Sequence, residues 1–404
     1  MSFLTFDFSE LLKKTLITST ELREAHDRVK SSLEILIDLK KTGKIGFLDL
    51  PHQSAIAKNI VKKNRDYKKK FSSLVQCGIG GSSLGAQALV SGLKRDAPVY
   101  FLDNVDPLSY KSVQKKLDFS KTLFHIVSKS GDTVETMYQY KWIVSELKKN
   151  KLKLNEHILI STEDNDGFLQ HEVKAHGYEW YELPAHVGGR FSVLTSAGLV
   201  AADFAGLNIN KVLEGARSVA LTSKSAITEC AALSWLLHKK QKRNIVGLMI
   251  YADFLEDFGH WLVQLWAESL GKKKSLDGND VFEGSFPLMG RATPAQHSLL
   301  QLFSEGPDQM WFQFIEVENL ERTKSNFSKL IHIESKATRE SLIAHKRPAV
   351  TIRLKNLSEE SLGALLFFYE CVVALLGLSL NINPFDQPGV EDSKKRIQRY
   401  LSLQ

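Results

Sequence analysis

Gln264 and Glu268 stand four residues apart in Trp261-Leu262-Val263-Gln264-Leu265-Trp266-Ala267-Glu268-Ser269, so a helix sets both on one face. A carboxylate flanked by Trp and Leu is in a setting that suits a general base working near neutrality. In Gly188-Gly189-Arg190-Phe191-Ser192 an arginine follows two glycines. There the backbone can bend closely around a small ligand and a guanidinium can face developing negative charge. A surface turn is the plain alternative. Ser128-Lys129-Ser130-Gly131-Asp132-Thr133-Val134-Glu135-Thr136 gathers hydroxyls, a lysine and backbone donors at a helix start, continued by Met137, Tyr140, Val144 and Leu147. A phosphate dianion requires such a set: several charge-assisted hydrogen bonds and a favourable helix dipole. Asp132 and Glu135 are also spaced for a capping box.

Three further segments say less alone. Cys77-Gly78-Ile79-Gly80-Gly81-Ser82-Ser83-Leu84-Gly85 joins a strand to a helix through residues that let backbone N–H groups approach an anion. The dinucleotide fingerprint wants Gly at position 83, where this chain has Ser, although Asp103 ends the next strand about where a ribose-binding acid belongs. A nicotinamide-dependent dehydrogenase therefore competes on this motif, as does a simple tight turn. His297, after Gln296, starts another helix, and a lone histidine is more often structural than catalytic. Phe385-Asp386-Gln387-Pro388-Gly389-Val390-Glu391-Asp392-Ser393-Lys394 is a Pro-Gly turn bounded by Asp, Gln and Lys, informative only in combination. His171 and His176 invite a zinc reading, but five residues set them about 140° apart around a helix, where metalloprotease ligands are four apart, so no metal site is expected.

The elements that must position these residues follow from periodicity. Short apolar runs at Leu74–Cys77, Val99–Leu102, Leu123–Val127, His157–Ile160 and Tyr178–Tyr181 alternate with helix-sized stretches, and the rhythm returns at Ile245–Tyr251, Trp311–Ile315 and Val350–Leu354. Strands linked by crossover helices imply parallel sheets covered on both faces, with ligands at the strands' carboxyl ends. The expected organisation is two α/β domains, 43–185 and 186–380. A helical N-terminal arm, 1–42, is expected to pack on the second, and a C-terminal segment, 381–404, follows. The 404 residues, 43% hydrophobic and 25% charged, exclude collagen-like, disulfide-rich and disordered classes. Cys77, Cys230 and Cys371 form no C-x-x-C pair, which favours a reducing compartment; with no visible secretory signal, the cytoplasm is expected. The apolar stretch Leu362 to Leu380 has Glu370 at its centre, so it reads as a buried core helix with Glu370 satisfied by a partner. A net charge of +7 attracts anions, but clusters such as Lys239-Lys240-Gln241-Lys242-Arg243 and Lys272-Lys273-Lys274 are short and lack interleaved aromatics, so solvated faces are expected rather than nucleic-acid contacts.

In combination these segments resemble the phosphoglucose isomerase family, aldose-ketose isomerases that interconvert glucose 6-phosphate and fructose 6-phosphate. Gly188–Ser192 and Phe385–Lys394 are similar to the family's two signature segments, and the motif order covers most of the chain. The resemblance implies two doubly wound parallel-sheet sugar-isomerase domains and no cofactor or metal. It makes Ser128, Lys129, Ser130 and Thr133 the phosphate cradle, with Gly81 and Ser82 touching the sugar. It makes Glu268 the base that moves a proton between C2 and C1 through a cis-enediol, Gln264 its substrate-contacting neighbour, and Arg190 the stabiliser of enediolate charge. His297 helps open the ring, Lys394 is the catalytic lysine near the ring oxygen, and Gln387 is a supporting or phosphate contact. The histidine comes from the other subunit, so a homodimer is implied; a non-catalytic sugar-phosphate sensor is the further alternative. The chain departs from the family at Ser130, usually Thr, and at Asp132, usually uncharged, which is expected to cap its helix and turn away from phosphate. Leu270, Pro294-Ala295 and Pro388 depart too, which bears on substrate tolerance.

Overall fold

The computed structural model describes residues 3–94, 96–222, 224–321 and 325–403. In chain order its strands are β1 (Leu4–Asp7), β2 (Ser73–Cys77), β3 (Val99–Leu102), β4 (Thr122–Val127), β5 (Ile158–Thr162), β6 (Glu179–Glu182), β7 (Ile245–Ile250), β8 (Lys272–Lys274), β9 (Asp280–Glu283), β10 (Phe286–Arg291), β11 (Met310–Asn319) and β12 (Ala349–Asn356). The first sheet has the order β3-β2-β4-β5-β6 and is parallel throughout. The second has the order β1-β12-β11-β7-β10, parallel except that β1 runs antiparallel to β12. β8 and β9 make a separate antiparallel hairpin. Strands β2, β4 and β5 are buried along their whole length, as parallel strands covered on both faces must be, and this is why they read as unbroken apolar runs.

Each sheet reverses its winding direction once. In the first, β3 lies on one side of β2 and β4 on the other, so a crevice opens between the carboxyl ends of β2 and β4. The loops after Cys77 and after Val127 both start there. In the second, the reversal lies between β7 and β11. The helix Glu256–Leu270 connects the units: it packs on Leu84–Leu93 of the first and on β10 of the second.

The sequence reading missed β1, β8, β9 and β10. The N-terminal arm is therefore not wholly helical: β1 adds an edge strand to the second sheet before the helix Ser19–Lys41, which a Thr18–Glu21 capping box starts. That helix packs on the helices Ala226–Trp235 and Glu359–Ser379. β10 carries Pro287 and Gly290, both unfavourable inside a strand; its position at a sheet edge accommodates them.

Glu359–Ser379 is long and apolar enough to cross a membrane, yet it is buried among other helices as the central helix of the core. The expectation of a partner for Glu370 is overturned. Both of its carboxylate oxygens are buried without a hydrogen-bond partner among the described residues, and burial pushes its pKa well above the ordinary carboxylate value. A neutral carboxylic acid is the form that such a site tolerates.

Candidate active site

Three elements converge on Arg190. The turns Gly80–Ser82 and Gly189–Phe191 touch each other, and both touch the helix Glu256–Leu270. Glycine is required where they meet: a Cβ on Gly81 would lie 2.2 Å from the Gly189 carbonyl carbon. Gly80 has φ +58°, and a Cβ there would lie 2.7 Å from Gln264 Nε2. The close approach draws the glycine-rich loop after β2 of the first unit against the second unit's helix.

Arg190 is 3% exposed and spends every N–H on the protein. Nε donates to Ser269 Oγ at 2.7 Å, and Nη2 donates to Pro384 O at 2.5 Å and Asp386 O at 2.9 Å. Nη1 donates to Gln387 Oε1 at 2.9 Å and, over a longer 3.5 Å, to Glu268 Oε2. Burial pulls the Arg190 pKa down, while Glu268 and Asp386 pull it back. Gln264 Nε2 donates to Glu268 Oε1 at 3.1 Å, as the four-residue spacing predicts. Trp261, Leu265 and Trp266 are buried in the core, whereas the Glu268 side chain is 32% exposed on the face shared with Gln264 and Arg190.

The loop after β4 gathers the other expected residues. Ser128 Oγ and Thr133 Oγ1 share a hydrogen bond of 2.9 Å, and Lys129 Nζ donates to Ala185 O at 2.5 Å. Burial lowers the Lys129 pKa. Ser82, Lys129, Gly189 and Ser192 line one small crevice, so the loops after β2 and β4 and the Arg190 turn adjoin. No side chain caps the helix Val134–Lys149 that follows. The expected capping box is therefore absent. Asp132 caps a different helix: its Oδ1 accepts from Phe168 N–H at 2.8 Å, at the start of a neighbouring helix rather than its own. A cavity of about 220 Å³ opens over the uncapped helix end, lined by Ser130, Asp132, Thr133, Val134, Glu135 and Lys394 among others, so Asp132 borders it even though one of its oxygens is held by Phe168. Lys394 reaches it from the C-terminal helix Glu391–Leu401, where its Nζ also donates to Glu391 Oε1 at 2.8 Å.

His297 is not with the others. It is exposed just past the helix Ala292–Gln296, which follows the carboxyl end of β10. Arg291, at that strand end, pairs with Glu256 at the start of the helix that carries Glu268 twelve residues further on, about 18 Å of helix away at ~1.5 Å per residue.

Lys272 escaped the sequence reading, which took Lys272-Lys273-Lys274 as a solvated cluster. Lys273 and Lys274 are exposed, but Lys272 is 6% exposed, and its Nζ donates to Glu268 O at 2.5 Å and lies 3.7 Å from Asp386 Oδ1. Strand alternation would set Lys272 and Lys274 on one face, and the register shift between them leaves only Lys272 buried, so the run of lysines held no signal for it. Arg243, in another such cluster, is also buried and pairs with Asp308. The dinucleotide alternative gains no support: Gln87 Nε2 donates to both Ser83 Oγ at 2.8 Å and Asp103 Oδ2 at 2.7 Å, so the expected ribose acid is already held.

Two doubly wound parallel-sheet units, with a loop suited to phosphate beside a carboxylate and a buried guanidinium, define an α/β protein of the phosphosugar-isomerase class. Comparison with known proteins agrees, because the phosphoglucose isomerase family profile matches residues 62–402. A glucose-6-phosphate isomerase of Carboxydothermus hydrogenoformans is 34% identical, over 98% of this chain and 93% of that protein, and one of Methanocaldococcus jannaschii is 32% identical, over 98% and 99%. The crystal structure of a glucose-6-phosphate isomerase from Chlamydia trachomatis superposes with a TM-score of 0.90 at 22% identity, over 100% of this chain and 89% of that one. The chain belongs to the phosphoglucose isomerase family.

Proposed function

We propose that this protein interconverts glucose 6-phosphate and fructose 6-phosphate through a cis-enediol. The observation that carries the reading is Arg190 Nη1 against Glu268 Oε2, a fixed guanidinium facing a carboxylate whose other oxygen Gln264 holds. In the open-chain aldose, Glu268 takes the proton from C2. The electron pair forms the C1=C2 double bond while the C1 carbonyl oxygen takes up negative charge beside Arg190. A hydroxyl proton passes from O2 to O1, and Glu268 returns its proton to C1 to give the ketose. Gln387 keeps Arg190 aimed, because it takes the Nη1 donor next to Glu268.

Ser128, Lys129, Ser130, Thr133 and the uncapped helix end serve as the phosphate cradle, with Gly81 and Ser82 alongside the sugar. Binding energy from the phosphate fixes the reacting carbons for proton transfer. Lys394 and His297 serve ring opening, and His297 reaches the site of a second copy in a homodimer. The separation of His297 from Glu268 within one chain supports this. So does a face of exposed apolar residues, Phe327, Leu330 and Ile333, on the helix whose Glu334 accepts hydrogen bonds from Thr293 and Gln296 beside His297. Three buried free thiols fit a cytoplasmic setting.

The test is an assay of purified protein with fructose 6-phosphate, detecting glucose 6-phosphate, beside a Glu268→Gln variant. The variant is expected to lose about 10²–10⁴-fold in kcat. A wild type without turnover overturns the reaction, and full activity in the variant overturns Glu268 as the base.

A further inference from the structure

Asp386 joins two buried cations at the active site. Its backbone oxygen accepts from Arg190 Nη2, and its carboxylate lies 3.7 Å from Lys272 Nζ while accepting from Asn383 Nδ2 at 2.9 Å. Lys272 in turn caps the carbonyl of Glu268 itself. A buried ammonium is costly unless partners hold it, and these partners are the helix turn that carries the base and the loop that carries Gln387. If Lys272 were absent, the nearest buried cation to the Asp386 carboxylate would be Arg190. Pairing there would draw the guanidinium off Glu268. We propose that Lys272 is a positioning residue for the proton transfer, tying the Pro384–Gln387 turn to the Glu268 end of its helix so that Arg190 stays aimed at the carboxylate. The inference rests on the roles given above to Glu268 and Arg190.

The charged groups facing Lys272 are Arg190, Asp386 and Glu268, with Glu283 opposite it on the β8–β9 hairpin. Glu283 is taken up by His238, at 2.6 Å, and by Lys239, at 2.5 Å. Burial and then Arg190 pull the Lys272 pKa down to about 8, against the pull of Asp386 and Glu268. The ammonium is thus present below about pH 8 and lost as pH rises through that value, and the tie weakens with it.

Lys272→Met keeps the side-chain length and removes the charge. It is expected to lower kcat by between ~10- and ~100-fold, with KM for fructose 6-phosphate within about threefold of wild type. Lys272→Arg keeps a charge at all accessible pH. It is expected to restore kcat and to move to higher pH the alkaline fall of kcat that loss of the Lys272 ammonium is expected to produce in wild type. Wild-type kcat in Lys272→Met, or an unmoved alkaline limb in Lys272→Arg, overturns the proposal. A melting cycle needs no turnover: Asp386→Asn should lower Tm less in the Lys272→Met background than alone, and additive losses overturn the tie. If wild type fails to isomerise the sugar phosphate, the proposed reaction falls while the melting cycle still decides the tie.

Discussion

Arg190 is a structural hub and, in the proposed function, a chemical group as well. An arginine has five N–H donors in a rigid fork, and here each meets a protein oxygen, four of them at 2.5–2.9 Å and one, toward Glu268, at 3.5 Å. The long contact is the one that a developing oxyanion can share without disturbing the rest. Arg190→Lys offers a point charge with three donors and cannot hold Ser269, the Pro384–Gln387 turn and Glu268 together. It is expected to lower kcat about 10²–10³-fold, measured in steady state, and to lower Tm as well, because buried oxygens lose their donors. At this scale the sequence was legible where a residue type was unusual in its place, as with Arg190 after two glycines or Gln264 and Glu268 at helical spacing. It was not legible where the decisive fact was an orientation. Lys272 reads like Lys273 and Lys274 until the strand turns it inward, and Asp132 reads as a cap for its own helix although its carboxylate reaches the next one.

The central helix carries a similar lesson one scale up. Glu359–Ser379 was legible as a core helix because its apolar run has a charge at the centre, but the reading supplied Glu370 with a partner that the described residues do not provide. Sequence periodicity fixes burial and says nothing about what a buried oxygen faces. Strands followed the same rule: β2 to β7, β11 and β12 showed as apolar runs, whereas β10, with Pro287 and Gly290, is held as a strand only by its parallel pairing with β7. The unpartnered carboxyl has a thermodynamic consequence. Its pKa is raised in the folded state, so the folded state holds this proton more tightly than the unfolded one. The resulting stability is present below the unfolded value, near 4.5, and is lost as pH rises from there through the folded value, by about 1.4 kcal/mol per unit. Glu370→Met removes the group at similar length. It is expected to stabilise the protein by about 1–3 kcal/mol at pH 7 and to flatten Tm against pH above 4.5, both measured by thermal melts over pH 4–8.

At the scale of the whole molecule, the question is why the proposed site, assembled from three segments of one chain, leaves out His297. Glu268 lies near the end of its helix that meets the first sheet's carboxyl-end loops, and His297 follows β10 near the other end of the same helix. On the proposed reading, this placement makes one chain supply either Glu268 or His297 to a given site. The proposed twofold dimer would resolve this, because each copy could present its His297 to the Glu268 of the other. The arrangement makes a quantitative demand. Glu268→Gln and His297→Ala each disable both sites of their own dimers. In a mixed dimer, the wild-type Glu268 of one chain meets the wild-type His297 of the other at one site of the two. Equal amounts, dissociated and reassociated at random, give half mixed dimers, so about a quarter of all sites are intact. Activity of the mixture should therefore rise from near zero to about a quarter of wild type. A mixture that stays as inactive as its components would place His297 and Glu268 in the site of the same chain, whereas a His297→Ala protein that is fully active before mixing would remove His297 from the chemistry.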